Sequence, residues 1–105
     1  MNKESFIYNV TVKVAAGIGA EWLQWLQEEH IPEVTATGCF SHAIVLHLFE
    51  MDDDESCTYA IQYYTDSIKN HERYIARFAN GLQQKSFDKW RAKFIAFRTF
   101  MKVVN

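Results

Sequence analysis

Residues 40–64 read FSHAIVLHLFEMDDDESCTYAIQYY and contain two strand-like runs on either side of a block of acidic residues. Phe40–Phe49 and Thr58–Tyr64 are rich in the aromatic and β-branched residues that favour strands. The block Asp52–Glu55 between them is typical of a solvated hairpin tip. We therefore expect two antiparallel strands in the middle of the chain, joined by this turn.

One helix is predicted on each side of this hairpin. The first begins near Ala20, and Pro32 is expected to end or restart it because proline disfavours helical geometry at the preceding residue. The second follows the helix-capping residues Thr65–Ser67. We expect Asn80–Gly81 to interrupt this second helix, with a further helical segment running to about Trp90.

Strands at both ends of the chain complete the pattern. Phe6–Val14 alternates in polarity with the period of a strand, and Phe94–Val104 is the last predicted strand. The order β-α-β-β-α-β predicts an α+β, ferredoxin-like fold, an antiparallel four-stranded sheet with helices on one face. Right-handed crossovers place the first and third strands at its centre. The 105 residues make one domain, residues 1–105.

Both faces of this sheet are predicted to be apolar. Residues 94–101 (FIAFRTFM) and 40–49 (FSHAIVLHLF) lack the apolar–polar alternation of a half-exposed antiparallel sheet. The helices cover one face, so another surface has to cover the other. A second copy of the same sheet, related by a two-fold axis, meets this need, and we expect a homodimer.

Composition excludes several partners. The net charge of −2 argues against nucleic acid, and no apolar run approaches the ~18 residues of a membrane span. Met1–Ser5 lack the layout of a signal peptide, so a cytoplasmic location is expected. Cys39 and Cys57 are predicted to lie about 33 Å apart along the hairpin, too far for a disulfide. No metal-ligand spacing is present, so no metal site is expected.

Several short segments resemble one family in the same order along the chain. They are residues 7–12 (IYNVTV), 21–25 (EWLQW), 30–34 (HIPEV), 36–38 (ATG), 62–67 (QYYTDS) and 94–99 (FIAFRT). Over essentially its whole length the chain resembles the bacterial domain-of-unknown-function family 4286. The resemblance implies a dimeric α+β barrel, in which two ferredoxin-like sheets pack face to face, and it implies no established activity.

More distant relatives of this fold include antibiotic-biosynthesis-type and haem-degrading monooxygenases. The haem-degrading enzymes use an asparagine on the first strand, with a tryptophan and a histidine on the second helix. Asn9 matches the first by position. The second helix, however, has Tyr74 in place of the tryptophan, and its histidine, His71, lies near its start. We therefore expect no haem and no other cofactor.

Asn9 and Arg98 are the first candidates for polar contacts with a small molecule. Each interrupts an apolar strand, and the two strands are expected to be neighbours, so we predict that both side chains share one pocket. Asn9 either orients a ligand or bonds to a neighbouring side chain or water. Arg98 either holds an anionic ligand or pairs with Glu33, Glu50 or Asp66.

His30 is the third polar candidate, as a general base or as a cap at a helix C-terminus. Trp22 and Tyr63 either line a pocket for a flat apolar ligand, together with other aromatic residues, or pack in the core and the dimer interface. The remaining histidines have structural interpretations. His42 and His47 are expected on opposite faces of the sheet, with one or the other beside a tyrosine, and His71 is expected to be solvated.

Three functions from different classes remain open. The first is a small-ligand-binding barrel with its pocket between helices and sheet. The second is a non-catalytic protein–protein interaction module, and the third is a cofactor-independent monooxygenase-like or isomerase-like enzyme. The sequence assigns no catalytic residue, so the first hypothesis depends on binding residues alone.

Overall fold

The computed structural model describes residues 4–105. Met1–Lys3, which form part of the segment used to predict a cytoplasmic location, lie outside the described residues. Four antiparallel strands form one sheet in the order β2-β3-β1-β4. They are β1 (Phe6–Ala15), β2 (His42–His47), β3 (Ser56–Thr65) and β4 (Phe94–Lys102). The ferredoxin-like order and the central first and third strands are confirmed. Among residues 4–105 no helix has both the length and the hydropathy needed to cross a membrane.

The first helical layer continues past Pro32, which was expected to end or restart it. Helix α1 (Gly19–Trp25) leads into a wide π turn (Leu26–His30) and then into α2 (Ile31–Ala36). Ile31 keeps helical geometry, with φ −59° and ψ −46°, and its N–H bonds to the carbonyl five residues back. Pro32 lacks an N–H and its ring clashes with a regular preceding turn. The wide turn opens the helix just before the proline, and α2 then starts with Pro32 in its first turn, as expected of a helix that restarts there.

The second helical layer begins as predicted and breaks elsewhere. The Ser67 hydroxyl accepts hydrogen bonds from two backbone N–H groups of the first turn of α3 (Ile68–Arg77). The interruption falls at Phe78, with φ −123° and ψ −33°, where the side chain packs against the core. Asn80–Gly81 lie inside α4 (Ala79–Trp90), so the break predicted there is wrong. The break therefore falls where Phe78 packs against the core and not at the flexible Gly81.

The helices cover one face of the sheet and leave the other open. Val14 of β1 and Val34 of α2 are fully buried in the core between the helices and the covered face. The open face has large exposed apolar side chains near both edges of the sheet. They are Ile44, Leu46, Ile95, Phe97 and Met101. The apolar character predicted for both faces is therefore observed.

The two histidines of β2 lie on opposite faces, as predicted. His42 stacks on Tyr64 with ring centroids 4.5 Å apart, and His47 stacks on Tyr59 at 4.7 Å. The register of β2 with β3 pairs the same residues, so each stack is a cross-strand pair. These contacts explain both histidines without a ligand.

Candidate functional site

A cavity of about 50 Å³ lies between the covered face of the sheet and the helices. By the usual space that a buried water takes, it has room for about three to five water molecules. The strands contribute Tyr8, Tyr63 and Arg98 to its walls, and the first helical layer contributes Trp22 and His30. The cavity therefore brings together four of the five predicted site residues.

Small side chains on the covered face leave this space. In the register of β1 with β4, Val10 is opposite Arg98 and Val12 is opposite Ala96. Their neighbours on the same face are aromatic, including Tyr8 and Phe94. Ala96 lines the cavity, and its methyl group fills less of the space than a longer side chain would.

Arg98 has no carboxylate partner among residues 4–105, where the ion pairs join other residues. Glu33, one of its predicted partners, instead bonds to Lys85 at 2.9 Å, so the interpretation of Arg98 as its ion-pair partner is wrong. The Tyr8 hydroxyl lies within hydrogen-bonding reach of the guanidinium. Burial raises the pKa of Tyr8, and the positive charge of Arg98 partly offsets that rise. The guanidinium remains able to donate to a ligand.

His30 is a half-buried neutral imidazole in the cavity wall. Burial lowers its pKa to about 4, with Glu33 acting in the opposite direction and Arg98 lowering it further. Its ring stacks on Trp25 at 4.9 Å. Because the helix continues past His30, its interpretation as a C-terminal helix cap is wrong. Neither ring nitrogen has a hydrogen bond within residues 4–105, so one can donate to a ligand and the other accept.

The tyrosines of the cavity are neutral hydrogen-bonding groups. Burial is the main cause that raises the pKa of both Tyr63 and Tyr74, and the neighbouring Tyr8 raises it further in each case. Trp22 packs against Tyr59 with ring centroids 5.5 Å apart and presents a flat apolar wall. The site combines aromatic walls with hydroxyl groups that stay protonated near neutral pH.

Asn9 lies on the open face, so the prediction that it shares a pocket with Arg98 is wrong. In the sheet Asn9 is opposite Thr99 on β4 and opposite Gln62 on β3. Its amide donates to Thr11 Oγ1 at 2.9 Å, and its oxygen accepts from Gln62 Nε2 at 3.3 Å. Since side chains alternate between faces, the observed register puts Asn9 and Arg98 on opposite sides.

Sequence reasoning missed two polar residues of the cavity, Gln83 and Ser86 on α4. The helix has buried Ala79 near its start and buried Trp90 at its end. The four positions 79, 83, 86 and 90 share one face by helical spacing. Polar residues that share a helix face with two core residues are the sequence pattern that could have identified Gln83 and Ser86.

His71 is the remaining histidine, and its predicted solvated position is wrong. Its ring stacks on Phe100 with centroids 3.8 Å apart and with an angle of 6° between the rings. Burial lowers its pKa. The apolar face of α3 turns His71 toward the sheet, so it packs as an aromatic residue.

No group of three or more His, Cys, Asp or Glu side chains within residues 4–105 is arranged to hold a metal ion. Cys39 is buried and Cys57 is half-buried, and both are free thiols. The polar groups described above are therefore the chemistry that this cavity offers.

Comparisons with known proteins identify the fold and a family. The family model described as "Domain of unknown function (DUF4286)" matches residues 5–104. No curated protein matches the chain. A dimeric ferredoxin-like protein from an uncultured marine organism has a TM-score of 0.69 and 11% identity, with 97% of each chain covered. The de novo designed protein Foldit4 has a TM-score of 0.52 and 9% identity, with 96% of this chain and 98% of that chain covered. Both likenesses support the fold alone.

Proposed function

This chain belongs to the DUF4286 family of domains of unknown function, and we propose that it binds a small, flat molecule in the cavity between its helices and sheet. One observation supports the proposal above all. The cavity is walled by aromatic rings and also has polar side chains in its lining, among them His30, whose ring nitrogens have no hydrogen bond within residues 4–105, and Arg98, which has no ion pair there. Apolar walls with a few convergent polar groups are typical of ligand sites.

The walls suggest how such a molecule lies. Trp22 and Trp25 come from α1, and Tyr63 comes from β3 on the other side. A planar ring between them makes face and edge contacts with aromatic side chains. Asn9 is no longer part of this proposal, because its side chain lies on the open face. Trp22, His30, Tyr63 and Arg98 remain the proposed binding residues.

Phenol and indole are suitable planar probes for this proposal. We expect millimolar additions of either to shift the backbone amide resonances of the strands and helix around the cavity. Ala96→Phe fills the space next to Val12 and should abolish these shifts. Ala92→Phe, at an exposed position just before β4, is the matched control and should retain them. Shifts confined to other surfaces, or none with either probe, would contradict the proposal.

The proposal includes a homodimer formed through the open face. Lys13 is the only fully charged side chain that the strand register places on this face within residues 4–105, so two copies meet with little repulsion. Four strands about 4.8 Å apart and about 30 Å long present about 600 Å². Two such faces bury about 1,200 Å², which enters the range of stable interfaces. The dimeric protein of similar fold supports the same assembly.

A cofactor-independent isomerase or monooxygenase is the second candidate function. The observation that favours it is the neutral imidazole of His30 in the same cavity as cationic Arg98. A base with a pKa of about 4 is weak at neutral pH, so we rank a catalytic function below a binding function. Exchange of an acidic C–H proton of a bound probe into D2O, lost in His30→Gln, would support catalysis.

The proposed location of the protein is the cytoplasm, and the two free thiols agree with this reducing compartment.

A further inference from the structure

The charge in the cavity lining is positive. Arg98 is the one charged residue of the lining within residues 4–105, and its side chain is also exposed to solvent. His30 is neutral at pH 7, and the tyrosine hydroxyls stay protonated because burial raises the pKa of each. No aspartate or glutamate contributes to the lining within residues 4–105. An anionic ligand is therefore the one whose charge complements this lining.

We propose that the polar end of the ligand is a carboxylate on a flat apolar body, held by the guanidinium of Arg98. This inference rests on the proposed binding function and names the class of ligand. A guanidinium presents two parallel N–H groups that match the two oxygens of a carboxylate. The Tyr8 hydroxyl beside Arg98 and a ring nitrogen of His30 supply further donors.

A phosphate fits this cavity less well than a carboxylate. Phosphate groups in proteins are usually held by several cations or by backbone N–H groups at a helix start. This cavity has one cation, and its helical wall at His30 is the interior of a continuous helical segment. A monovalent carboxylate is therefore the class of ligand whose charge matches the single positive charge of the cavity lining.

The ring of His30 is held in place for this role. It stacks on Trp25 with an angle of 25° between the rings, and the π turn directs it toward the cavity at the position just before Ile31. Arg98 and burial both disfavour its protonated form. In the neutral form it donates one hydrogen bond to a carboxylate oxygen and accepts one from another polar group.

Benzoate and benzamide form a matched pair of probes, since both are flat and of similar size and one is charged. We expect benzoate to bind the wild-type protein at least ~10-fold more tightly than benzamide at pH 7, the usual range for one charged hydrogen bond. Amide NMR titration at a fixed salt concentration measures both constants. Arg98→Met keeps the apolar stem and should remove the difference, and Arg98→Gln provides a second variant if the first does not fold.

Lys102→Met is the matched control for loss of charge. Lys102 lies on the same strand as Arg98 and bonds to Glu4 at 3.1 Å, outside the cavity. The preference for benzoate should persist in this variant. Equal binding of the two probes, or a preference that survives loss of Arg98, would overturn the carboxylate class and leave the binding function standing. If neither these probes nor phenol and indole bind at the cavity, both proposals are wrong.

Discussion

His30 and Arg98 line one cavity from opposite sides, His30 from the first helical layer and Arg98 from the edge strand of the sheet. The two residues are separated by most of the chain, and their approach requires the helices to pack on the sheet. The positive charge of Arg98 contributes to the low pKa of His30. Each therefore influences the chemistry that the other offers to a ligand.

Protonation of His30 is expected to destabilise the folded protein in acid. Its pKa falls from 6.5 in the unfolded chain to about 4 in the fold, mainly because of burial. The unfolded state binds this proton first, so the stability present above pH 6.5 is lost as the pH falls toward 4. The loss is at most about 3 kcal/mol, and less where water reaches the half-buried ring.

Urea unfolding between pH 4 and pH 7 measures this effect, with His30→Gln as the non-titrating comparison. His71 also has a pKa lowered by burial and acts in the same direction, so the difference between wild type and variant isolates His30. A variant whose stability depends on pH as steeply as that of the wild type would show that His30 titrates normally in the fold.

Phe97→Lys is expected to convert a homodimer into monomers. Phe97 is 65% exposed on the open face, and an isologous interface would bring two lysines into an apolar contact. Light scattering after gel filtration should report about twice the 12.3 kDa chain mass for the wild type and about that mass for the variant. Ile75→Lys, at an exposed apolar position on α3, is the control and should remain dimeric. A wild-type monomer at micromolar concentration would refute the interface.

Asn9 and Gln62 are predicted to contribute to stability as a pair. Gln62 Nε2 donates to Asn9 Oδ1 at 3.3 Å on the open face, where a second subunit would exclude water. Asn9→Ala leaves the Gln62 amide without this partner and should cost about 1–3 kcal/mol in the dimer. Urea unfolding of both single variants and the double variant, at one protein concentration, measures the coupling. Strictly additive losses would mean that the two amides act independently.

Arg91→Gly is expected to stabilise the protein. Arg91 follows α4 with φ 56° and ψ −135°, a backbone region that is costly for residues with a Cβ. Removing the side chain should relieve about 1 kcal/mol of strain. Arg91→Ala keeps the Cβ and controls for loss of the side-chain contact with the Phe87 ring. If both variants are equally stable in urea, strain at this position is not the cause.

Local patterns in the sequence were sufficient for the order of the elements. The alternation in Phe6–Val14 and the capping group ending at Ser67 involve residues close together in the chain, and both appear in the structure as expected. The apolar character of both faces was also visible, because it depends on composition along each strand. These features need no knowledge of which strand residue is opposite which.

The candidate site required the tertiary structure. Alternation shows which residues of one strand share a face, and it leaves open how two strands align. A shift of one residue between β1 and β4 would have put Asn9 beside Arg98, whereas the observed register puts Val10 there. The π turn that positions His30 and the space beside Ala96 likewise arise only when distant segments pack. Local sequence therefore determined the elements, and the strand register and helix packing decided which side chains meet, because those depend on contacts between residues far apart in the chain.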